Sequence, residues 1–179
     1  MFSAKWIVLP ALLAAMIAAC GNNLIPSGED KRITTTASAG HAVGQTAPDF
    51  SMPDTAGGTV SLSALNAAGK PVVLYFTMWC PICDAHMQHM QSTAMAQYPN
   101  AVYVAVDYLS GSVAVAADAQ NSAGYASSPF VVGVDVGQAV LNTFHATMGT
   151  TVVIDKTGIV RMNEDYKDGT ALLTVLGAL

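Results

Sequence analysis

The chain has 179 residues, 52% of them hydrophobic and 11% charged, and a net charge of −5. That is long and apolar enough for one domain with a substantial core, and it excludes a disordered chain. The acidic balance, with no basic run anywhere, argues against a nucleic-acid partner.

Residues 1–19 read as an export signal outside the fold. Lys5 supplies the positive start, and Trp6–Ala19 is an apolar stretch of 14 residues. A bilayer span needs roughly 20. Ile17-Ala18-Ala19-Cys20 resembles the bacterial lipobox, in which the cysteine is lipidated and becomes the mature N-terminus. The other reading is an ordinary signal peptide cut nearby, leaving Cys20 as a stray thiol. Lipid on Cys20 implies a protein anchored in the cell envelope, facing the periplasm or the extracellular side. Gly21 stands where inner-membrane lipoproteins typically carry Asp, which points to the outer membrane. Residues 20–43 hold Thr, Ser, Gly and Asn without periodicity, and His41 among them, so they read as a lipidated Cys20 followed by a flexible tether. As a coil this tether spans roughly 25–30 Å.

The folded domain is expected over residues 44–179. Ala56-Gly57-Gly58 is a turn signal between short extended pieces within 51–62, and 61–65 can form one helical turn. Gly69-Lys70-Pro71 breaks the chain before Val72–Thr77, an apolar run rich in β-branched and aromatic residues that predicts a buried strand. Residues 84–97, free of Gly and Pro, predict a helix. Then follow a strand over 101–106, a helix over 113–123, a strand over 130–134 and a short helix over 138–144. Residues 150–154 and 159–162 flank Asp155-Lys156-Thr157-Gly158 as a hairpin, and 169–179 closes as a helix. Strands alternating with helices predict an α/β sheet covered on both faces.

Trp79-Cys80-Pro81-Ile82-Cys83 lies where the central strand ends and the helix begins. A helix N-terminus presents unpaired N–H groups and the positive end of the macrodipole, which favour a thiolate. The Cys80 pKa is therefore expected below the free value of about 8.5. Pro81 suits the first helical position, and Cys83, one turn on, can attack a mixed disulfide formed at Cys80. This reads as a dithiol–disulfide exchange centre, with Cys80 as nucleophile and Cys83 as resolving thiol. A static disulfide or half of a zinc site are the alternatives, although no second Cys-x-x-Cys supplies the other half. With Cys20 lipidated, Cys80 and Cys83 remain to pair, and export removes them from the reducing cytosol. Cys83, Met87, Met90 and Ala94 share the spacing of a core-facing stripe; His86 flanks it and His89 points further round. A metal site built on Cys80, Cys83 and His86, with Met87, His89 and Met90 nearby, is a further reading that suits Cu(I).

A Trp-Cys-x-x-Cys after a buried strand resembles the thioredoxin superfamily. Gly44-Gln-Thr-Ala-Pro-Asp-Phe50, Leu62-Ser-Ala-Leu65, Gly69-Lys-Pro-Val-Val-Leu-Tyr-Phe76 and Thr150-Thr-Val-Val-Ile-Asp-Lys-Thr-Gly158 are similar to its TlpA/ResA-like, redoxin branch. The resemblance implies a thioredoxin-like fold: a central mixed β-sheet with helices on both faces and an N-terminal extended or hairpin extension. It implies a thiol-disulfide oxidoreductase with no cofactor beyond the redox-active Cys80–Cys83 disulfide. Trp79, Pro81, Ile82, Gly149 and Thr150 would support the site. The expected partners are protein thiols and disulfides, a membrane or periplasmic redox partner, and the membrane itself through the lipid on Cys20. The protein is expected to be a monomer.

Two positions depart from that pattern. Gly149 stands where the family carries a cis-proline facing the disulfide, so the loop is expected to be less fixed. Leu74 occupies the position of a buried acid that takes the proton from the second cysteine; Asp84, the nearest carboxylate, reads as a first-turn residue at the helix N-terminus. His145 precedes the Gly149 loop and reads as a surface residue. A peroxiredoxin-like thiol peroxidase is the remaining alternative, because Thr77-x-x-Cys80 echoes its peroxidatic motif. Its proline and arginine positions, however, hold Val73 and Gly149.

Overall fold

The computed structural model describes residues 38–179. The expected signal peptide, Cys20 and most of the tether lie outside the described residues. No helix among the described residues is long and apolar enough to cross a membrane.

The first two strands form a small antiparallel hairpin of their own, β1 (Ser51–Pro53) and β2 (Thr59–Ser61), separate from the main sheet. Helix α1 (Leu62–Ala67) follows, with the Ser61 hydroxyl accepting the Ala64 N–H as N-cap. All six residues of β3 (Val72–Thr77) are buried, as an apolar run in the middle of a covered sheet requires. The main sheet has the order β5-β4-β3-β6-β7. Strands β4 (Val102–Asp107) and β5 (Val131–Val134) run parallel to β3, while β6 (Thr150–Ile154) and β7 (Val160–Asp165) form the antiparallel half. Helix α2 (Pro81–Met90) continues through a π-helical turn at Gln91–Met95. Helices α3 (Val113–Ser122), α4 (Ala139–Thr143) and α5 (Thr170–Gly177) complete the fold. This is the thioredoxin-like α/β fold that the sequence suggests.

The alternation of β3 divides the core. Val73 and Tyr75 face the cluster built with Cys83, Met87, Met90 and Ala94 of the α2 segment and Leu172 and Leu176 of α5. Val72, Leu74 and Phe76 face the opposite cluster, with Leu62, Val140 and Phe144. The methionine stripe therefore fills a core, as its spacing predicts. Leu74, at the position of the family's buried acid, lies on the sheet face away from Cys83, so a side chain there is separated from the sulfurs by the sheet itself.

Two connections differ from expectation. The last residues of the stretch read as tether lie on the domain: Gly40 N–H donates to Thr46 O (2.9 Å), Asn163 Nδ2 to His41 O (3.1 Å), and the His41 ring stacks on His145 at 4.0 Å. The loop before β6, expected to be loose without a proline, is held on both sides. Gly149 N–H donates to Phe76 O at 2.9 Å, and Gly149 O accepts the Tyr166 N–H at 2.8 Å. Gly149 sits at φ +86°, a conformation that costs an L side chain energy.

Two substitutions test this arrangement. Leu74→Asp places a carboxylate in an apolar cluster with no partner and should lower unfolding free energy by about 3–5 kcal/mol in urea denaturation. A loss under about 1 kcal/mol would contradict the placement of residue 74. Gly149→Ala should cost about 1–2 kcal/mol. A Cβ there meets only the His86 ring, at 3.8 Å, so the cost comes from backbone conformation and not from a clash.

Candidate active site

Chain geometry carries β3 straight into the two cysteines. Met78 and Trp79 form the exit, with Trp79 at φ +59°, and Cys80 is the N-cap of α2 in extended conformation (φ −84°, ψ 162°). Its sulfur accepts the Cys83 N–H at 3.2 Å. That replaces the oxygen of an ordinary N-cap with sulfur, and it satisfies one of the helix's orphan donors. Pro81 takes the first helical position, where no N–H is needed. Both cysteines are free thiols; Cys80 is half-buried, whereas Cys83 is 0% exposed.

The two thiols titrate in opposite directions from the ordinary value. Burial, then proton sharing with the Cys83 thiol, pushes Cys80 up, against the N–H groups of Cys83 and Ile82. Cys83 is also opposed by burial. Hydrogen bonds from the Cys80 thiol, from the backbone of Met78 and Cys80 and from the Thr77 hydroxyl outweigh that, and hold it below the ordinary thiol value. The expected depression thus appears in the resting dithiol at Cys83 and not at Cys80. The helix N-terminus stabilises a thiolate, but the buried sulfur collects more donors than the exposed one. The pair ionises as a unit, and a Cys80 thiolate forms when the shared proton passes to Cys83.

Trp79 flanks the pair and is fixed from two directions. Its backbone N–H donates to Thr77 Oγ1 (3.1 Å) and its indole Nε1 to Asp107 Oδ2 (2.7 Å). Asp107 is fully buried at the end of β4, directly opposite Thr77, and also accepts from Leu109 N, Ser110 N and Ser110 Oγ. Sequence reasoning missed Asp107. Its signal was a carboxylate closing an apolar strand whose parallel neighbour ends beside the cysteines. Asp84, read as a first-turn residue, accepts from Tyr125 Oη (2.7 Å) and Gln88 Nε2 (2.9 Å).

The other expected site residues divide. Ile82 is 55% exposed beside Cys80. Gly149 presents its backbone next to the His86 ring. Thr150 lies on the same strand face as Val152 and Ile154, away from the Cys83 cluster. Its hydroxyl accepts the Thr147 N–H (2.9 Å) and donates to Asp165 (3.0 Å), closing the loop and not facing the sulfurs. His86 Nδ1 pairs with Tyr75 Oη at 3.0 Å, and among the described residues no three His, Cys, Asp or Glu side chains converge as a metal site. Tyr75, also missed from sequence, lies buried in the Cys83 cluster.

Comparison with known proteins places this geometry. Residues 43–163 match the model of the AhpC/TSA family. A chain from Chlorobium tepidum described as a thiol:disulfide interchange protein DsbE is 25% identical, with a TM-score of 0.64 over 79% of this chain and 98% of that one. The pneumococcal exposed lipoprotein thioredoxin of Streptococcus pneumoniae is 26% identical, TM-score 0.60, over 74% of this chain and 100% of that one. Peroxidoxin BcpB of Mycobacterium tuberculosis is also 26% identical, TM-score 0.60, over 76% and 97%. No curated protein sequence matches. With more than half its length under the family model, this chain belongs to the AhpC/TSA family.

Proposed function

We propose that the protein is a thiol-disulfide oxidoreductase that exchanges disulfides with protein partners outside the cytoplasm, held at the membrane by lipid on Cys20. The observation that carries this reading is the asymmetry of the pair: a half-exposed sulfur caps the helix, and a fully buried one lies one turn behind it. Only Cys80 can meet a partner's sulfur. Its thiolate attacks a substrate disulfide, one substrate thiolate leaves and takes a proton, and Cys80 is left in a mixed disulfide. The Cys83 thiolate then attacks Cys80 Sγ, the second substrate thiolate leaves, and two electrons and two protons have passed to the substrate. Run backwards, the same steps oxidise a partner dithiol.

Exposed apolar side chains support a macromolecular substrate. Met78 and Ile82 flank Cys80, and Leu109, whose N–H is held by Asp107, lies at the same sheet end. Such a rim suits the apolar surface of a partner peptide around its cysteine. The DsbE-like and lipoprotein thioredoxin neighbours are consistent with an envelope location and with protein thiols as substrates.

A second reading, a thiol peroxidase, is favoured by the family and by the likeness to peroxidoxin BcpB. Against it, Arg161, the one arginine among the described residues, pairs with Asp155 at 2.7 Å.

Cysteine variants separate the two. Cys83→Ser should accumulate a mixed disulfide at Cys80 with a disulfide-containing peptide, releasing one peptide thiol, seen by mass spectrometry under non-reducing conditions. Cys80→Ser should form none, with exchange falling to the uncatalysed rate. Rapid peroxide consumption that survives Cys83→Ser would favour the peroxidase instead.

A further inference from the structure

Resolution requires Cys83 to lose its proton, yet Cys83 is fully buried, and the position of the family's acid, Leu74, lies on the other face of the sheet. The structure supplies a different neighbour. Tyr75, wholly buried, shares a cluster with Cys83 and hydrogen-bonds through its hydroxyl to His86 Nδ1 at 3.0 Å. His86 is half-buried, so it reaches from that hydroxyl toward solvent. A sealed thiol and a sealed phenol thus share one cluster, and the phenol is bonded to a half-buried imidazole.

We propose that Tyr75 and His86 form the proton path that ionises Cys83 during resolution, an inference that rests on reading Cys80–Cys83 as an exchanging dithiol. With Cys80 tied up in the mixed disulfide, the Cys83 S–H gives its proton to Tyr75 Oη while Tyr75 gives its own to His86 Nδ1. The products are a Cys83 thiolate, a neutral tyrosine and an imidazolium. The thiolate attacks Cys80 Sγ, the substrate thiolate departs, and His86 returns its proton to that thiolate or to water. Tyr75 shares the buried cluster of the reacting sulfur; His86 acts through Tyr75.

The surroundings fit each role. Burial, then the Cys83 and Cys80 sulfurs and a hydrogen bond with Cys83, push the Tyr75 hydroxyl far above the ordinary phenol value, so it passes a proton without resting as phenolate. The groups facing His86 are Tyr75 from β3, the Tyr166 ring at 4.8 Å after β7, His89 on its own helix and the Gly149 backbone. His89 in turn pairs with Tyr166 Oη at 2.7 Å, and Asp168 lies close enough to both to bear on their charge. Desolvation, then His89, hold His86 below the ordinary imidazole value, so at neutral pH it is free to accept.

The test uses the full reduced chain and an aryl disulfide, dithiobis(nitrobenzoate), whose thiolate product is coloured. Stopped-flow absorbance separates two releases: the first reports attack by Cys80, the second resolution by Cys83. In the wild type the second rate should fall as pH drops through a pKa below about 6.5, the ordinary histidine value, because protonated His86 cannot accept. Tyr75→Phe should slow the second release about 10²-fold at neutral pH, recovering as pH rises. His86→Gln, at a half-exposed position that tolerates change, should remove the inflection below neutrality and slow the same phase, with the first release as internal reference. A second release with wild-type rate and pH profile in His86→Gln would overturn the relay, whatever Tyr75→Phe does. A wild-type chain that gives no second release would instead overturn the exchange reading itself.

Discussion

The site depends on a sulfur standing where a helix normally has an oxygen. The Cys83 N–H donates to Cys80 Sγ at 3.2 Å, and that single contact couples the two cysteines through backbone as well as through chemistry. It exists because β3 is buried along its whole length and so can leave the sheet at only one height. Pro81 then starts the helix without a wasted donor. A hydrogen bond to a charged acceptor contributes about 1.5–3 kcal/mol, which amounts to one or two pKa units in favour of a thiolate. That contact favours a Cys80 thiolate, while Cys83 is held lower by donors of its own, the Cys80 thiol, the backbone of Met78 and Cys80 and the Thr77 hydroxyl.

Around that contact the fold separates access from proton chemistry. Cys80, Ile82 and Met78 face outward, and Trp79 is pinned by a carboxylate whose two oxygens each accept two hydrogen bonds. On the inner side, Cys83 is enclosed by Tyr75 and the methionines of α2. The Gly149 loop closes over His86 through backbone groups that bridge β3 and the segment after β7. The usual proline and the usual acid are both absent: Gly149 ties the loop down by its own backbone bonds, and in the proposed relay His86 serves where a carboxylate would.

Much of this was legible in the sequence because it is local. The strand–helix junction at Cys80, Pro81 at the first helical turn and the Cys83–Met87–Met90–Ala94 stripe all follow from spacing, and β6 falls on the residues expected for it. The remainder depends on contacts between distant segments. Asp107 meets Trp79 only because β4 pairs in parallel register with β3, and Tyr75 reaches His86 only because period-two alternation turns it toward α2. Strand β7 runs on to Asp165, past the apolar residues that marked it, because pairing with Thr150 and Thr151 satisfies its backbone whatever its side chains. The hold of residues 38–43 on the domain likewise comes from β7 and Asn163, more than a hundred residues away in sequence.

The central claim is that Cys80 and Cys83 form one reversible two-electron couple. It is tested most directly by equilibrating the full chain in dithiothreitol redox buffers, alkylating it, and reading both cysteines by mass spectrometry. The account predicts one transition in which the two sulfurs gain and lose the alkyl label together, with Cys80 labelling faster than Cys83 in the reduced protein. A Cys80 that stays unlabelled under reducing conditions, or two cysteines that never interconvert between labelled and protected forms, would contradict it.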